Sequence, residues 1–318
     1  MNTQNHRHDG RPTTTCRAVE AAPGTAAGTT GTTARERLRA ERERQARRSR
    51  LRRRLGVGAA SAAVLAAAAG TGVLLTHGGD GGRGDNSDWS AAAEVAEEGG
   101  SAGPYARYEA PGHTRGEGGV DILIGEESAG HTLTLYEDLR CPVCASFEQA
   151  NGERIRRDVE AGRYRTEYVF GAFLDERAGI EGTGSKNALS ALGAALDVSP
   201  SAFLAYKEVL FSADRHPEET SDEFADDRHL VALAREVPEL KGHKGFEKAV
   251  LEGRFDPWAV RVAAKFDAAE DVTGTPTVEL DGERIRGKGG GVPPMDPEEF
   301  GRLVEAVLDG SAPAEKGN

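Results

Sequence analysis

Cysteine is scarce in this sequence. Three occur in 318 residues, at positions 16, 141 and 144. That excludes a disulfide-stapled scaffold. There is no second Cys-x-x-Cys and no histidine pair at ligand spacing. His216, His229 and His243 fall in separate predicted elements, so a tetrahedral zinc site lacks its ligands, and no metal site is expected. A phosphate loop is missing too: Gly287-Lys-Gly-Gly-Gly291 has neither the GxxxxGK[ST] spacing nor a following helix, and reads as a flexible loop. The acidic stretch Glu218–Asp227 lacks EF-hand spacing and reads as a solvated loop. Residues 78–318 carry 26 Lys+Arg against 47 Asp+Glu. Nucleic-acid binding needs a basic face, so no nucleic-acid partner is expected for the folded part.

Positive charge is concentrated instead at the other end. Residues 1–77 hold 14 Arg and 5 Asp+Glu, a contrast that argues against one folded unit. Residues 1–34 are rich in Thr, Gly, Ala and Pro and read as disordered, with Cys16 an incidental free thiol. Residues 35–54 contain 11 Arg and 3 Glu. They suit a nucleic-acid-binding or lipid-binding arm, or the cytoplasmic flank of a membrane segment. The adjoining segment favours the flank, because residues 55–76 are free of charge. As a helix they span about 30 Å, enough for a bilayer core. Arginines on one side then place residues 1–54 in the cytoplasm and the acidic body outside the membrane. The alternative is a secretory signal cleaved near Ala67–Ala69, giving a secreted protein; the run exceeds the usual apolar region of a signal, which favours an anchor. No cysteine comes directly after the run, which argues against a lipoprotein anchor. The domains expected are therefore a basic cytoplasmic head at 1–54, a single transmembrane helix at 55–77, a Gly-rich linker at 78–118, a folded domain at 119–311 and a tail at 312–318.

Within the folded domain, 120–124 and 131–136 read as strands, 142–161 as a helix stopped by Gly162, and 165–173 as a strand. From about 182 to 271 the pattern changes to consecutive helices punctuated by Pro200, Pro238 and Pro257. Thr277–Leu280 is a strand, Asp281-Gly282 turns a hairpin to 283–286, and a last helix has Asp296 as N-cap and Pro297 as its first residue.

Cys141-Pro142-Val143-Cys144 lies between the second strand and the first long helix. A dithiol there is a redox arrangement. The helix N-terminus stabilises a thiolate on the first cysteine, and the second sits one turn along, in reach of a disulfide. Pro142 occupies the position where a missing N–H is harmless. A plain structural disulfide is the rival, but so short a loop stabilises little. The second signal is Gly274-Thr275-Pro276-Thr277, an X-Pro bond before a strand, where a cis peptide can occur.

Together these residues carry a resemblance. Tyr136-Glu-Asp-Leu-Arg-Cys-Pro-Val-Cys144 and Val272-Thr-Gly-Thr-Pro-Thr-Val278 resemble the two signature stretches of the DsbA-like branch of the thioredoxin superfamily, over about residues 119–310. The resemblance implies an α/β thioredoxin-like fold with an inserted helical subdomain. It implies Cys141 as the exposed nucleophile and Cys144 as the buried resolving thiol. Pro276 would be a cis-proline facing them, and Thr275 would offer its backbone to a substrate peptide. Pro142, Val143 and Asp138 would support the site. Leu135 stands where many thioredoxins have a buried acid, six residues before the first cysteine, leaving Glu137 or Asp138 as substitutes. Arg140 is either a promoter of the Cys141 thiolate or merely solvated.

The function expected is an extracytoplasmic thiol–disulfide oxidoreductase that donates the Cys141–Cys144 disulfide to exported proteins with free thiols. It needs no cofactor beyond that disulfide. The resemblance also implies a membrane quinone-linked reoxidant. Val143 replaces the polar residue common in strong oxidases of the branch. The alternatives are an exported reductase or isomerase, and a non-catalytic peptide-binding module.

Overall fold

Alternation along Thr132–Asp138 sets the centre of the molecule. Leu133, Leu135 and Glu137 are buried in turn, while Thr132, Thr134 and Tyr136 are less covered. A period of two puts the first three on one face of a strand. The computed structural model describes residues 87–288 and 290–311. The chain divides into two units, Met1–Gly79 and Asp80–Asn318, and every described residue lies in the second. The expected head, membrane segment and tail, with Cys16, fall outside the described residues. No helix among the described residues is long and apolar enough to cross a membrane.

Five strands form a mixed sheet. They are β1 (Ile122–Ile124), β2 (Thr132–Asp138), β3 (Arg165–Gly171), β4 (Thr277–Leu280) and β5 (Glu283–Arg284), in the order β1-β3-β2-β4-β5. Only the β2–β3 pair is parallel, with Leu135 opposite Tyr168 and Glu137 opposite Phe170. A parallel pair needs a crossover, and α2 (Pro142–Glu160) supplies it. This helix begins with Pro142 at its first turn and ends before Gly162, whose φ of +68° suits glycine.

Between β3 and β4 the chain leaves the sheet for a helical insertion. It comprises α3 (Gly184–Val198), α4 (Pro200–Leu210), α5 (Asp227–Ala234), α6 (Lys244–Leu251) and α7 (Asp256–Ala268). Caps written in the sequence start them. Ser199 accepts from Ala202 N at 2.9 Å, Asp226 caps α5, and His243 Nδ1 accepts from Phe246 N at 3.0 Å. Phe203 of α4 packs edge-on against Tyr168 and Phe170 of β3, while Phe266 of α7 meets Tyr136 across the other face of β2. The last helix, α8 (Pro297–Leu308), is capped by Asp296 and packs Phe300 against Phe147 of α2.

The linker expected at 78–118 needs correction over its described part, 87–118. Trp89–Glu98 forms a helix, α1, capped by Asp88 and closed by Gly99 at φ +71°. Ala91, Ala92, Val95 and Tyr105 are buried as a cluster with Val260 of α7 packed against it. Tyr105 donates to Asp256 Oδ2 at 2.7 Å, Arg261 lies 3.9 Å from the Tyr108 ring centre, and Trp258 donates to the Gly119 carbonyl at 2.7 Å. The small residues of α1 hide an apolar face in what reads as a Gly/Ala-rich spacer.

This packing is testable. Val95→Asp strands a carboxylate among apolar side chains and is expected to lower stability by roughly 2–4 kcal/mol in urea unfolding of the whole chain. An unchanged midpoint would return 87–118 to the status of a linker.

Candidate active site

Cys141 is the N-cap residue of α2, with extended backbone (φ −78°, ψ 116°), and Cys144 lies in the first turn. Both are free thiols. Cys144 is fully buried and Cys141 only 7 % exposed, so the nucleophile is more covered than the expectation of an exposed thiol held. Their environments drive them apart. A hydrogen bond from the Cys144 thiol, aided by Thr275 and by the backbone N–H groups of Val143 and Cys144, outweighs burial and lowers the Cys141 pKa to about 6. Burial, followed by the neighbouring Cys141 and the charge of Glu137, raises Cys144 well above the ordinary thiol range. One sulfur is thus a thiolate near neutrality and its neighbour keeps a proton.

The Thr275–Pro276 peptide is cis. It brings the Thr275 carbonyl to 3.8 Å from Cys141 Sγ. The Thr275 side chain also favours the thiolate form of both cysteines, so this residue contributes more than the backbone expected of it. Pro142 is exposed, and Val143 is 39 % exposed. They give the site an apolar lip, and Val143 adds only its N–H to the sulfur.

Asp138 and Glu137, two candidates for one role, do different work. Asp138 shapes the turn into the cysteines. Its carboxylate accepts from Arg140 N at 2.9 Å, Ser185 Oγ at 2.7 Å and Leu174 N at 3.2 Å, and its carbonyl accepts from Cys141 N at 3.0 Å. Burial raises its pKa to about 7. Glu137 is the acid whose charge reaches Cys144. Its own burial pushes its pKa up, against the pull of Lys207. It continues the alternation of Leu133 and Leu135 to the end of β2.

Arg140 fits neither expectation. It is 1 % exposed, pairs with Asp175 at 3.1 Å and Asp222 at 3.5 Å, and donates to the carbonyls of Ile180 and Glu219. Its charge is matched by these carboxylates, and its effect is to fasten the approach to Cys141 onto the loops around α3.

Sequence reasoning missed Lys207 and Glu148. Lys207 of α4 is 2 % exposed, with Nζ 2.9 Å from Glu137 and 2.5 Å from Glu148, and 4.8 Å from the Tyr168 ring centre. Glu148 was visible as the residue one turn beyond Cys144 on the same helix face. Nothing local marks Lys207, which reads as an ordinary charge on an amphipathic helix. Among the described residues no group of three His, Cys, Asp or Glu is placed to hold a metal ion.

A stabilised thiolate on a helix N-terminus beside a buried partner thiol and an opposed Thr-Pro loop defines a thiol–disulfide oxidoreductase. The chain belongs to the thioredoxin family, whose model, described as thioredoxin, matches residues 117–306. No curated protein gives a significant match. Among solved structures, the chain is similar to the DsbA protein of Mycobacterium tuberculosis, with 25 % identity, 61 % of this chain and 98 % of that one covered, and a TM-score of 0.48. Similar too are the disulfide bond oxidoreductase DsbG of the same organism (24 % identity, 62 % and 95 % covered, TM-score 0.47) and the thiol–disulfide oxidoreductase MdbA of Actinomyces oris (19 %, 70 % and 99 %, 0.48).

The asymmetry of the two thiols predicts their reactivity. With limiting iodoacetamide, alkylation of Cys141 in the reduced protein should rise through a midpoint near pH 6 and level off above pH 7, while Cys144 is spared. A midpoint in the ordinary thiol range near 8.5 would contradict the assigned thiolate.

Proposed function

We propose that the protein is a DsbA-type oxidoreductase that donates its Cys141–Cys144 disulfide to exported proteins on the outer side of a membrane. The observation that carries this reading is the lowered pKa of Cys141. A stabilised thiolate favours the reduced dithiol, and so makes the disulfide a better oxidant. In the donating step a substrate thiolate attacks Cys141 Sγ, the Cys141–Cys144 bond breaks, and Cys144 leaves with the electron pair and takes up a proton. A second substrate thiolate then attacks the substrate sulfur of the mixed disulfide and releases the Cys141 thiolate. The enzyme is left reduced by two electrons and the substrate oxidised by two. Thr275 and the cis Pro276 border Cys141 and supply the edge on which an extended peptide would lie. The apolar lip of Pro142 and Val143 suits the unfolded segments in which free thiols of newly exported chains are found.

Location and partners are inferred from the sequence pattern. The uncharged run at 55–76 behind an arginine-rich head supports a single-pass anchor, with 1–54 cytoplasmic and the thioredoxin-like domain outside. A catalytic disulfide persists in that compartment. Repeated turnover then needs a membrane-bound oxidant, for which a quinone-linked protein is the proposed class.

Trapping tests the proposal. Cys144→Ser in the full chain should accumulate mixed disulfides with exported proteins, resolved by dithiothreitol, and Cys141→Ser should accumulate none while losing all oxidase activity on a reduced two-thiol substrate. A non-catalytic binding module would hold the same partners without Cys141.

A further inference from the structure

We propose that His216 is a positioning residue of the redox centre. In its imidazolium form the ring bridges the Leu210 carbonyl of the helical insertion and the Arg140 carbonyl that leads into Cys141. The bridge holds the nucleophile in its thiolate geometry in mildly acid solution. The inference rests on the oxidoreductase reading of the same site and deepens it.

The loop after α4 returns to the cysteines. Arg140 donates to the Glu219 carbonyl at 3.3 Å and pairs with Asp222 at 3.5 Å, so this loop lies against the turn before Cys141. His216 is fixed in the loop by its own N–H, which donates to the Ser212 carbonyl at 2.9 Å. Two aromatic rings hold its side chain, with centres 5.7 Å away at Phe211 and 6.1 Å away at Phe224. Nδ1 lies 3.2 Å from the Leu210 carbonyl oxygen. Nε2 is buried and has no partner in bonding geometry. Leu210 takes Nδ1, which leaves Nε2 for the Arg140 carbonyl, close enough to favour a proton on the ring.

A neutral imidazole carries one N–H and here faces two carbonyl oxygens. The proton that serves Leu210 from Nδ1 leaves a lone pair on Nε2 opposed to the Arg140 oxygen. A second proton removes that opposition and satisfies both carbonyls. An unpaired polar atom in a covered site is costly, which favours the closed bridge.

The groups around the ring set when it closes. Burial opposes the second proton and holds His216 below its ordinary range, against the pull of the two carbonyls and of Glu218. The Arg140 guanidinium is matched by Asp175 and Asp222. Lys207, 5.1 Å from the Phe211 ring centre, is matched by Glu137 and Glu148. Arg215 pairs with Glu236, Asp214 is exposed, and His229 stacks on Phe224. The ring therefore charges in mildly acid solution.

The effect reaches Cys141 through one peptide. Cys141 N–H donates to the Asp138 carbonyl, and its sulfur is stabilised by the N–H groups of Val143 and Cys144. Those contacts depend on the tilt of the Arg140–Cys141 peptide. A donor on its oxygen fixes the tilt and draws electron density away from the sulfur. The Cys141 thiolate then keeps its charge further into acid than an unbridged turn allows.

The test follows iodoacetamide alkylation of Cys141 in the reduced full chain across the acid and neutral range. His216→Phe keeps the aromatic packing without a donor. His216→Asn offers a donor only at the δ position, and His216→Gln offers one at the ε position. The phenylalanine and asparagine variants are expected to react about threefold more slowly than wild type below about pH 6, an upward displacement of about half a pH unit. Both should converge on wild type above about pH 7.5, and the glutamine variant should follow wild type throughout. Either of the first two is decisive should the other fail to fold. Wild-type curves in both would overturn the inference alone. So would slowing at every pH, which marks a structural effect, or a glutamine variant that behaves like the phenylalanine one. A wild-type Cys141 that reacts as an ordinary thiol would overturn the oxidoreductase reading and the inference with it.

Discussion

A single hydrogen bond between two sulfurs organises this protein. Cys144 must keep its proton for Cys141 to hold a charge, and two residues separate them on one helical turn. Burial pushes the inner thiol up while the helix N-terminus and Thr275 draw the outer one down. The rest of the fold serves that difference. The β2–α2 crossover aims the helix end, Asp138 fixes the turn before it, and the Thr275–Pro276 loop closes over the sulfur.

The helical insertion is part of this arrangement. Arg140, next to the nucleophile, is anchored on carboxylates and carbonyls supplied by residues 175–222. Lys207 reaches from α4 under the sheet to Glu137 at the end of β2. Buried ion pairs contribute little net stability, because desolvation offsets attraction. Their use here is electrostatic placement: a cation beside Glu137 opposes the rise that burial imposes on that acid.

How much the sequence made legible depends on distance along the chain. The dithiol, Pro142 and the helix that starts there are local features, and so are the caps at Ser199, Asp226 and Asp296. Glu137 was readable in principle from the period of β2, since its face is that of Leu133 and Leu135. Lys207 was not, because it lies 70 positions from Glu137 and only the packing of α4 on β3 joins them. Arg140 was misread for the same reason, its partners lying as far off as Asp222. α1 was read as part of the linker because alanines carry its buried face, and composition alone does not separate such a face from a spacer.

The central claim is that the stabilised Cys141 thiolate makes the disulfide an oxidant. Its most direct test is the reduction potential of Cys141/Cys144 in the full chain, from equilibrium with glutathione at pH 7. Against a thioredoxin thiol near 7, a thiol near 6 shifts the dithiol–disulfide balance about fivefold at this pH, or about 20 mV. A value of about −250 mV or higher, above the approximately −270 mV of thioredoxin, is the predicted result. A value at or below that of thioredoxin would contradict the account and make the protein a reductase.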